Sequence, residues 1–453
     1  MPHGLTRELA GFVSGLTFDR IPAAPRAMAH VGITDCVGTM IAGSVEEPTR
    51  ILMETLAPAR GEASLFLTGP RVTAPEAAWI NGTAAHALDY DDVGMRGHPS
   101  TVLVPAILAE GERMGASGAE MLTAYVAGYE TWGELVFRDP DQHHQKGWHP
   151  TGIFGAIAAA AAAARLNRLD ADRTGHAIAL GASQSAGLMA NFGTMTKPFH
   201  AGRSAHAGVI AARLAKAGFT AAPDALEHPQ GYLAAVSPHG AVDRTSPCKA
   251  GIDWRLMSVG LSVKKYPMCF GTHRALDGML DLLAANPVRA GEIKSITVST
   301  GRRNFTILRN SHPQTGLEAK FSMQFAMAAA VVAGRAGLGE LTDAFVRRGD
   351  IQALMQKVTV VPDDRVDPVH NGHAPYDLVT IELGSGRTLE SARVSEVRGS
   401  PERPLQRDEL WTKFEDCIKV GNPELNAPAL FERLMSLERQ PSVAALTSLP
   451  KAA

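Results

Sequence analysis

The chain has 453 residues, with 44 Lys+Arg against 46 Asp+Glu and a formal net charge of −2. That balance argues against nucleic acid or an anionic membrane as the main partner, and 45% hydrophobic with 20% charged residues excludes a disordered chain. At roughly 150 residues per domain, the length points to two or three domains with a large core.

The first ~260 residues predict helix after helix, with apolar residues at three-to-four spacing over about 23–43, 73–90, 100–115, 117–137, 150–166, 171–190 and 198–217. Thr73 with Glu76 and Ser117 with Glu120 fit the capping-box pattern at helix starts. The alanine run from Gly155 to Ala164 points to closely approaching, buried helices and is too short to span a bilayer. Past residue 260 the pattern changes. Glu292–Ser299, Leu378–Leu383 and Thr388–Val397 alternate with period two, and helical patterns fall at about 317–333 and 350–357. After Pro401 and Pro404 helices return at about 406–418 and 425–438. The expected architecture is mainly α: a large all-helical domain from residues 1–259 with 401–453 returning to it, and a smaller α+β lid domain, 260–400, with a short antiparallel sheet.

The cysteines Cys36, Cys248, Cys269 and Cys417 are far apart and form no CxxC pair, which reads as free thiols in a reducing compartment. The start MPHGLTRELAGF has no basic stretch followed by an apolar run, so the expected location is cytoplasmic. Phosphate loops, dinucleotide fingerprints, GxSxG elbows and HExxH are all missing, which leaves nucleotide-dependent, α/β-hydrolase and zincin chemistry without support.

The chemically suggestive feature is a recurrent local design. His98-Pro99, His149-Pro150 and Lys197-Pro198 each precede an apolar helical segment. Proline suits the first helical turn and holds the residue before it extended, so each His or Lys is expected at a helix mouth. Free N–H groups and the positive end of the macrodipole make such mouths carboxylate sites, and a histidine there tends to its neutral, basic form. The acidic run Asp89-Tyr90-Asp91-Asp92 stands at a helix C-terminus, where it opposes the macrodipole unless paired or functional. An exposed acidic turn and an Mg²⁺ site are its other readings, and the second acidic motif of the prenyl-chain enzymes is missing. Lys264, Lys265 and His273 fall where the two domains are expected to meet, either as surface charge or reaching a cleft.

Taken together, WINGTAAHALDYDD, GHPST, GWHPTGIFGA, NFGTMTKPFHAG, VKKYP followed by GTH, and EAKFS resemble the MmgE/PrpD family, in order from about residue 5 to 440. That family embraces 2-methylcitrate dehydratases, cis-aconitate decarboxylases and iminodisuccinate epimerases. The resemblance implies homodimers without metal or organic cofactor, and a catalytic set of Asp89, His98, His149, Lys197 and Lys264. Asp91, Asp92, Thr196, His273 and Phe325 are the accompanying substrate-binding candidates. Where the decarboxylases carry a threonine and a tyrosine this chain has Val93 and Phe325, which counts against cis-aconitate as substrate, while Met95–Ser100 and NFGTMTKP look closer to the epimerase. The expected function is a cofactor-independent lyase, dehydratase or decarboxylase, that moves a proton α to a carboxylate of a small di- or tricarboxylate. An epimerase of an iminodisuccinate-like acid using the same site is the alternative, and a non-catalytic helical ligand-binding protein is the rival of another class.

Overall fold

A computed structural model describes residues 4–302, 304–367 and 374–448. The chain divides into two compact units, residues 1–263 with 410–453, and residues 264–409.

In the first unit the helices are α1 (Leu5–Gly15), α2 (Ala23–Ala42), α3 (Glu47–Leu56), α4 (Ala74–Ala87), α5 (Ser100–Met114), α6 (Gly118–Val136), α7 (Pro150–Leu166), α8 (Ala171–Ser183) and α9 (Thr196–Lys216), followed by the short α10 (Tyr232–Val236) and α11 (Arg255–Ser258). A small antiparallel ribbon, β1 (Arg60–Ser64) with β2 (Arg71–Val72), interrupts them and had no counterpart in the sequence reading. Helix α7 is buried on every face from Pro150 to Ala164 and packs on α6, α8 and α9, as an apolar-all-round helix must. The Ser117–Glu120 capping box forms in full at α6. At α4 the expected box does not form: Thr73 Oγ1 donates to Glu76 Oε2 at 2.6 Å, and the Thr73 N–H goes to the Ala59 carbonyl. Helix α8 stops at Ser183 rather than near 190, because Gly187 turns the chain at φ 137°.

Helices α4 and α9 touch at glycines. A Cβ on Gly202 would stand 2.2 Å from the Trp79 carbonyl oxygen, and one on Gly82 would stand 2.7 Å from the Gly202 Cα. Backbone meets backbone there, so no side-chain rotation relieves the clash. Gly202→Ala is expected to destabilise the protein by about 1–3 kcal/mol and to lower activity by shifting the start of α9. A thermal melt beside a turnover assay checks this.

The second unit holds α12 (His273–Ala285), α13 (Asn304–Ile307), α14 (Gly316–Ala319), α15 (Met323–Ala333), α16 (Asp343–Val346) and α17 (Gly349–Met355) around a sheet of β3 (Ile293–Gly301), β4 (Val358–Asp363), β5 (Leu378–Leu383) and β6 (Thr388–Glu390). The strand order is β4-β3-β5-β6, with β3 parallel to β4 and antiparallel to β5. The sheet is therefore mixed, not antiparallel as expected: the α13–α17 crossover returns the chain beside β3 as an additional strand, an edge strand that tolerates Pro362. The single helix expected over 317–333 breaks because Ser322 caps a new one, accepting the Phe325 N–H. The strand expected to reach Val397 ends at Glu390, where the Ser391 hydroxyl takes the Val379 N–H. The core of this unit includes Leu276, Ile296, Phe325, Met327 and Ile381. Helix α18 (Arg407–Gly421) leads back to the first unit, which α19 (Ala427–Leu434) and α20 (Ala444–Thr447) complete. Among the described residues no helix is long and apolar enough to cross a membrane.

Candidate active site

Five of the expected residues, Asp89, Asp91, His98, His149 and Lys197, and two that the sequence reading passed over, His86 and His200, come together in the first unit. The element that organises them is the turn after α4. Its last helical residues present His86; the chain then reverses at Asp89, which takes a left-handed φ of 52°. Asp tolerates that conformation better than most side chains, so the acidic residue satisfies the local backbone as well as the site. A second tight turn follows, with left-handed Met95 and Arg96 between Gly94 and Gly97, whose backbones are mutually bonded. Two bonds hold this strained turn in place: Trp132 Nε1–H donates to the Met95 carbonyl at 3.2 Å, and Arg96 donates to the Asp141 carbonyl at 2.7 Å. His98 emerges directly after it, its backbone N–H donating to Thr151 Oγ1 of α7 at 3.2 Å.

Asp91 lies between two imidazoles. His86 Nδ1 is 2.8 Å from its Oδ1, and His98 Nδ1 is 2.6 Å from its Oδ2. Burial alone would raise the Asp91 pKa, but the two rings outweigh it and hold the carboxyl well below the usual carboxylate range. An ionised carboxylate only accepts, so both histidines carry hydrogen on Nδ1. The His98 Nε2 atom, 4.0 Å from Asp89 Oδ1, is thereby left to exchange protons. Asp89 Oδ1 in turn accepts from Lys197 Nζ at 2.7 Å. Lys197 is the second residue of α9, which begins at Thr196; it sits inside the first turn rather than before it as expected.

His149 is the N-cap residue of α7, in extended conformation before Pro150 as predicted. The His86 ring lies 4.3 Å from that of His98 and 6.3 Å from that of His149, centroid to centroid, so the two flanking rings are close enough to serve one small molecule. Phe192 packs edge-on against His149 at 4.8 Å. Burial, then the neighbouring His86, Lys197 and His98, push the His149 pKa far down, and burial brings His86 to about 4. His149 is only 1% exposed, which differs from the loop-capping position expected for it.

Asp91 and Asp92 were read as substrate-binding, yet both are fully buried. Asp91 faces the histidines, and Asp92 lies on the far side of the turn, near Asp35. There the returning helix α18 anchors the site from behind. The Lys413 ammonium is 2.5 Å from Asp35 Oδ1, donates to the Tyr90 carbonyl at 2.7 Å and lies 4.1 Å from the Tyr90 ring centroid. Burial raises Asp35 to about 6 despite this lysine. Thr196 opens α9 and is half-buried. The remaining expected residues belong to the second unit. Lys264 is 3% exposed; His273 is buried between Tyr266 and Phe270, with Nε2 3.2 Å from the Met268 carbonyl; Phe325 is fully buried in that unit's core, edge-on to Phe345.

His86 and His200 were not foreseen. His86 is a lone histidine in an apolar helix, five residues before Asp91, and only the fold of the turn makes it a partner. His200 lies one helical turn after Lys197 on α9, a spacing that puts two polar side chains on one face and was legible.

His86, Asp89, Asp91 and His98 offer ligand atoms within 4.8 Å of one another. Their present bonds describe an ion-pair network rather than a ligand set: both Nδ1 atoms point at Asp91, and an ammonium group already neutralises Asp89.

These pKa shifts set the acid stability of the unit. Burial lowers His86, His143 and His206 to about 4 and lowers His149 and His200 as well. Each such group stabilises the fold above the ordinary histidine pKa and loses that contribution as pH falls towards its folded value. Asp35, at about 6, Glu130 and Asp377, at about 7, and Asp92 and Glu112, also raised by burial, act in the opposite sense. One histidine's share is therefore read by difference: the melting-temperature advantage of the wild-type protein over His206→Gln is expected to shrink on acidification from about pH 6.5 to about 4.5. A difference independent of pH over that window would contradict the assignment.

Comparison with known proteins finds matches along most of the chain. The MmgE/PrpD N-terminal domain matches residues 7–245 and the MmgE/PrpD C-terminal domain matches residues 266–427. A human cis-aconitate decarboxylase is 26% identical over 466 residues, covering 100% of this chain and 95% of the relative. The mouse cis-aconitate decarboxylase is 25% identical, covering 91% and 86%, and that of Aspergillus terreus is 22% identical, covering 98% and 96%. With both domain models matched across most of its length, the chain belongs to the MmgE/PrpD family.

Proposed function

We propose that the protein is a cofactor-independent lyase that moves a proton at the carbon α to a carboxylate of a small di- or tricarboxylic acid. The observation that carries this reading is the Asp91 carboxylate fixed between His86 and His98, beside the Lys197–Asp89 pair and a neutral His149. Full-length similarity to cis-aconitate decarboxylases supports the reaction class.

In this mechanism Lys197 pairs with a substrate carboxylate, helped by the positive end of the α9 macrodipole. Asp91 holds His98 in the tautomer whose Nε2 faces the substrate, the same division of labour as in a carboxylate–histidine pair of a hydrolase. His98 and His149 exchange protons with the substrate on its two sides. An enolate forms, stabilised by the cationic surroundings. Loss of a β-hydroxyl from this enolate gives dehydration, and return of the proton to the other face gives epimerisation. In decarboxylation the carbon–carboxylate bond breaks instead of a C–H bond, leaving its electron pair on carbon as the conjugated enolate while CO₂ departs, and a protonated histidine then donates to carbon.

Val93 and Phe325 supply no hydroxyl, so CO₂ release from cis-aconitate is expected to be slow, by on the order of 10²-fold for each missing donor that mattered. The test is an assay of 2-methylcitrate, citrate, cis-aconitate and iminodisuccinate, before and after exhaustive EDTA treatment. Turnover of at least one acid, unchanged by chelator, is expected. Activity lost with EDTA and restored by Mg²⁺ or Zn²⁺ would replace the ion-pair network by a metal site at Asp89, Asp91 and the two histidines. Epimerisation of iminodisuccinate without elimination is the second reading, favoured by the Met95–Ser100 turn that presents His98.

A further inference from the structure

His149 and His200 meet through the same ring atom. The two Nδ1 nitrogens are 3.1 Å apart. Two lone pairs at that distance repel, and two N–H groups clash, so one hydrogen serves both rings. The backbone is built to hold this contact. Gly187 accepts the His149 backbone N–H on its carbonyl at 3.0 Å, and its missing side chain makes room for the second ring: a Cβ there would stand 3.3 Å from His200 Cγ and Nδ1. Its φ of 137° is a conformation that side-chain-bearing residues rarely adopt. One glycine thus fixes the height of one imidazole and the clearance of the other.

We infer that His200 is the proton partner of His149: it fixes the His149 tautomer and takes up the Nδ1 proton when Nε2 receives one. This deepens the proposed proton-transfer function and rests on it for the catalytic step alone. In the resting pair His149 carries hydrogen on Nδ1, pointing at the His200 Nδ1 lone pair, and its Nε2 is free to act as base. The substrate C–H bond breaks with its electron pair left on carbon as the enolate, and the proton forms an N–H bond at His149 Nε2. The His149 Nδ1–H bond breaks with its pair kept on nitrogen, and that proton binds His200 Nδ1. His149 ends neutral in the other tautomer, and the positive charge resides on His200. The return step reverses both transfers.

Charge placement explains why a relay serves here. His86 on α4, His98 before α5 and Lys197 on α9 all surround His149 and disfavour an imidazolium at that position. Burial and then His86 lower His200 as well, but fewer cationic neighbours act there than on His149. Passing the proton to the second ring exchanges one N–H bond for another and keeps the cation off the most disfavoured ring.

The first measurement needs no substrate. In wild-type protein labelled with ¹⁵N in the imidazole rings, one downfield Nδ1 proton is expected besides those that His86 and His98 place on Asp91. It should vanish in His149→Gln, couple through the hydrogen bond to the Nδ1 of a second ring, and lose that coupling in His200→Phe. Two pyridine-type Nδ1 signals, or two separate Nδ1–H protons, would overturn the pairing. This result stands whether or not the proposed lyase reaction is found.

Kinetics separate a relay from simple positioning. His200→Phe, which leaves no ring nitrogen, is expected to lower kcat by about 10²-fold with KM changed much less, and to shift the pH limb that reports the base. His200→Gln can hydrogen-bond to His149 but cannot hold the extra proton, so it should remain near the His200→Phe level. Full rescue by glutamine would reduce His200 to a positioning residue and overturn the relay. Unchanged kcat and pH profile in His200→Phe would do the same.

Discussion

Asp91→Asn is expected to lower turnover by roughly 10³- to 10⁴-fold while leaving the fold intact, the scale seen when the carboxylate behind a catalytic histidine becomes an amide. The reason is the count of donors and acceptors. Asp91 accepts from His86 Nδ1 on one oxygen and from His98 Nδ1 on the other. An asparagine offers one acceptor and one donor group, so one of the two imidazoles must reverse its tautomer. If His98 reverses, its Nε2 carries a hydrogen and ceases to be a base. If His86 reverses, its buried ring moves the hydrogen from Nδ1 to Nε2, where no protein acceptor meets it among the described residues. A pH–rate profile together with a melt distinguishes this from unfolding. Activity within tenfold of wild type would show that Asp91 does not set the state of His98.

The second large effect is that of His149→Ala, which should abolish the native reaction, a loss of at least about 10²-fold. Because His149 is buried against Phe192, His200 and His86, its removal also leaves a cavity and an expected destabilisation of about 1–3 kcal/mol. His149→Gln fills more of that space and is the better probe of chemistry. It should melt close to wild type and remain inactive. Turnover by either variant at wild-type rate would remove His149 from the proton-transfer pair.

Much of this was legible from local pattern. Helices α2 and α4 to α7 follow apolar periodicity closely, since each buries a stripe or a whole surface against its neighbours, whereas α1 and α3 had no counterpart in the sequence reading. The X-Pro sites marked the helix mouths for the same local reason. Features set by distant contacts were hidden. The parallel strand β4 depends on a crossover that returns the chain to β3, and nothing within Val358–Asp363 announces its partner. The pairing of His86 with Asp91 depends on the left-handed turn at Asp89. Lys413, more than three hundred residues from Tyr90 in sequence, anchors the acidic turn through a bond that only the fold creates. The direction of each carboxylate was lost for that reason: the sequence placed Asp91 and Asp92 in the acidic run, and the fold turned both inwards.

The central claim is proton exchange at the carbon α to a carboxylate by the His98–His149 pair. Its most direct test is ¹H NMR in D₂O of 2-methylcitrate, citrate, cis-aconitate and iminodisuccinate incubated in turn with the wild-type protein, His98→Gln and His149→Gln. The account predicts that the wild-type protein places solvent deuterium at that carbon in at least one of these acids or its product, and that both variants lose this exchange. Product formed by His98→Gln or His149→Gln at the wild-type rate, or exchange undiminished in the two variants, would contradict it.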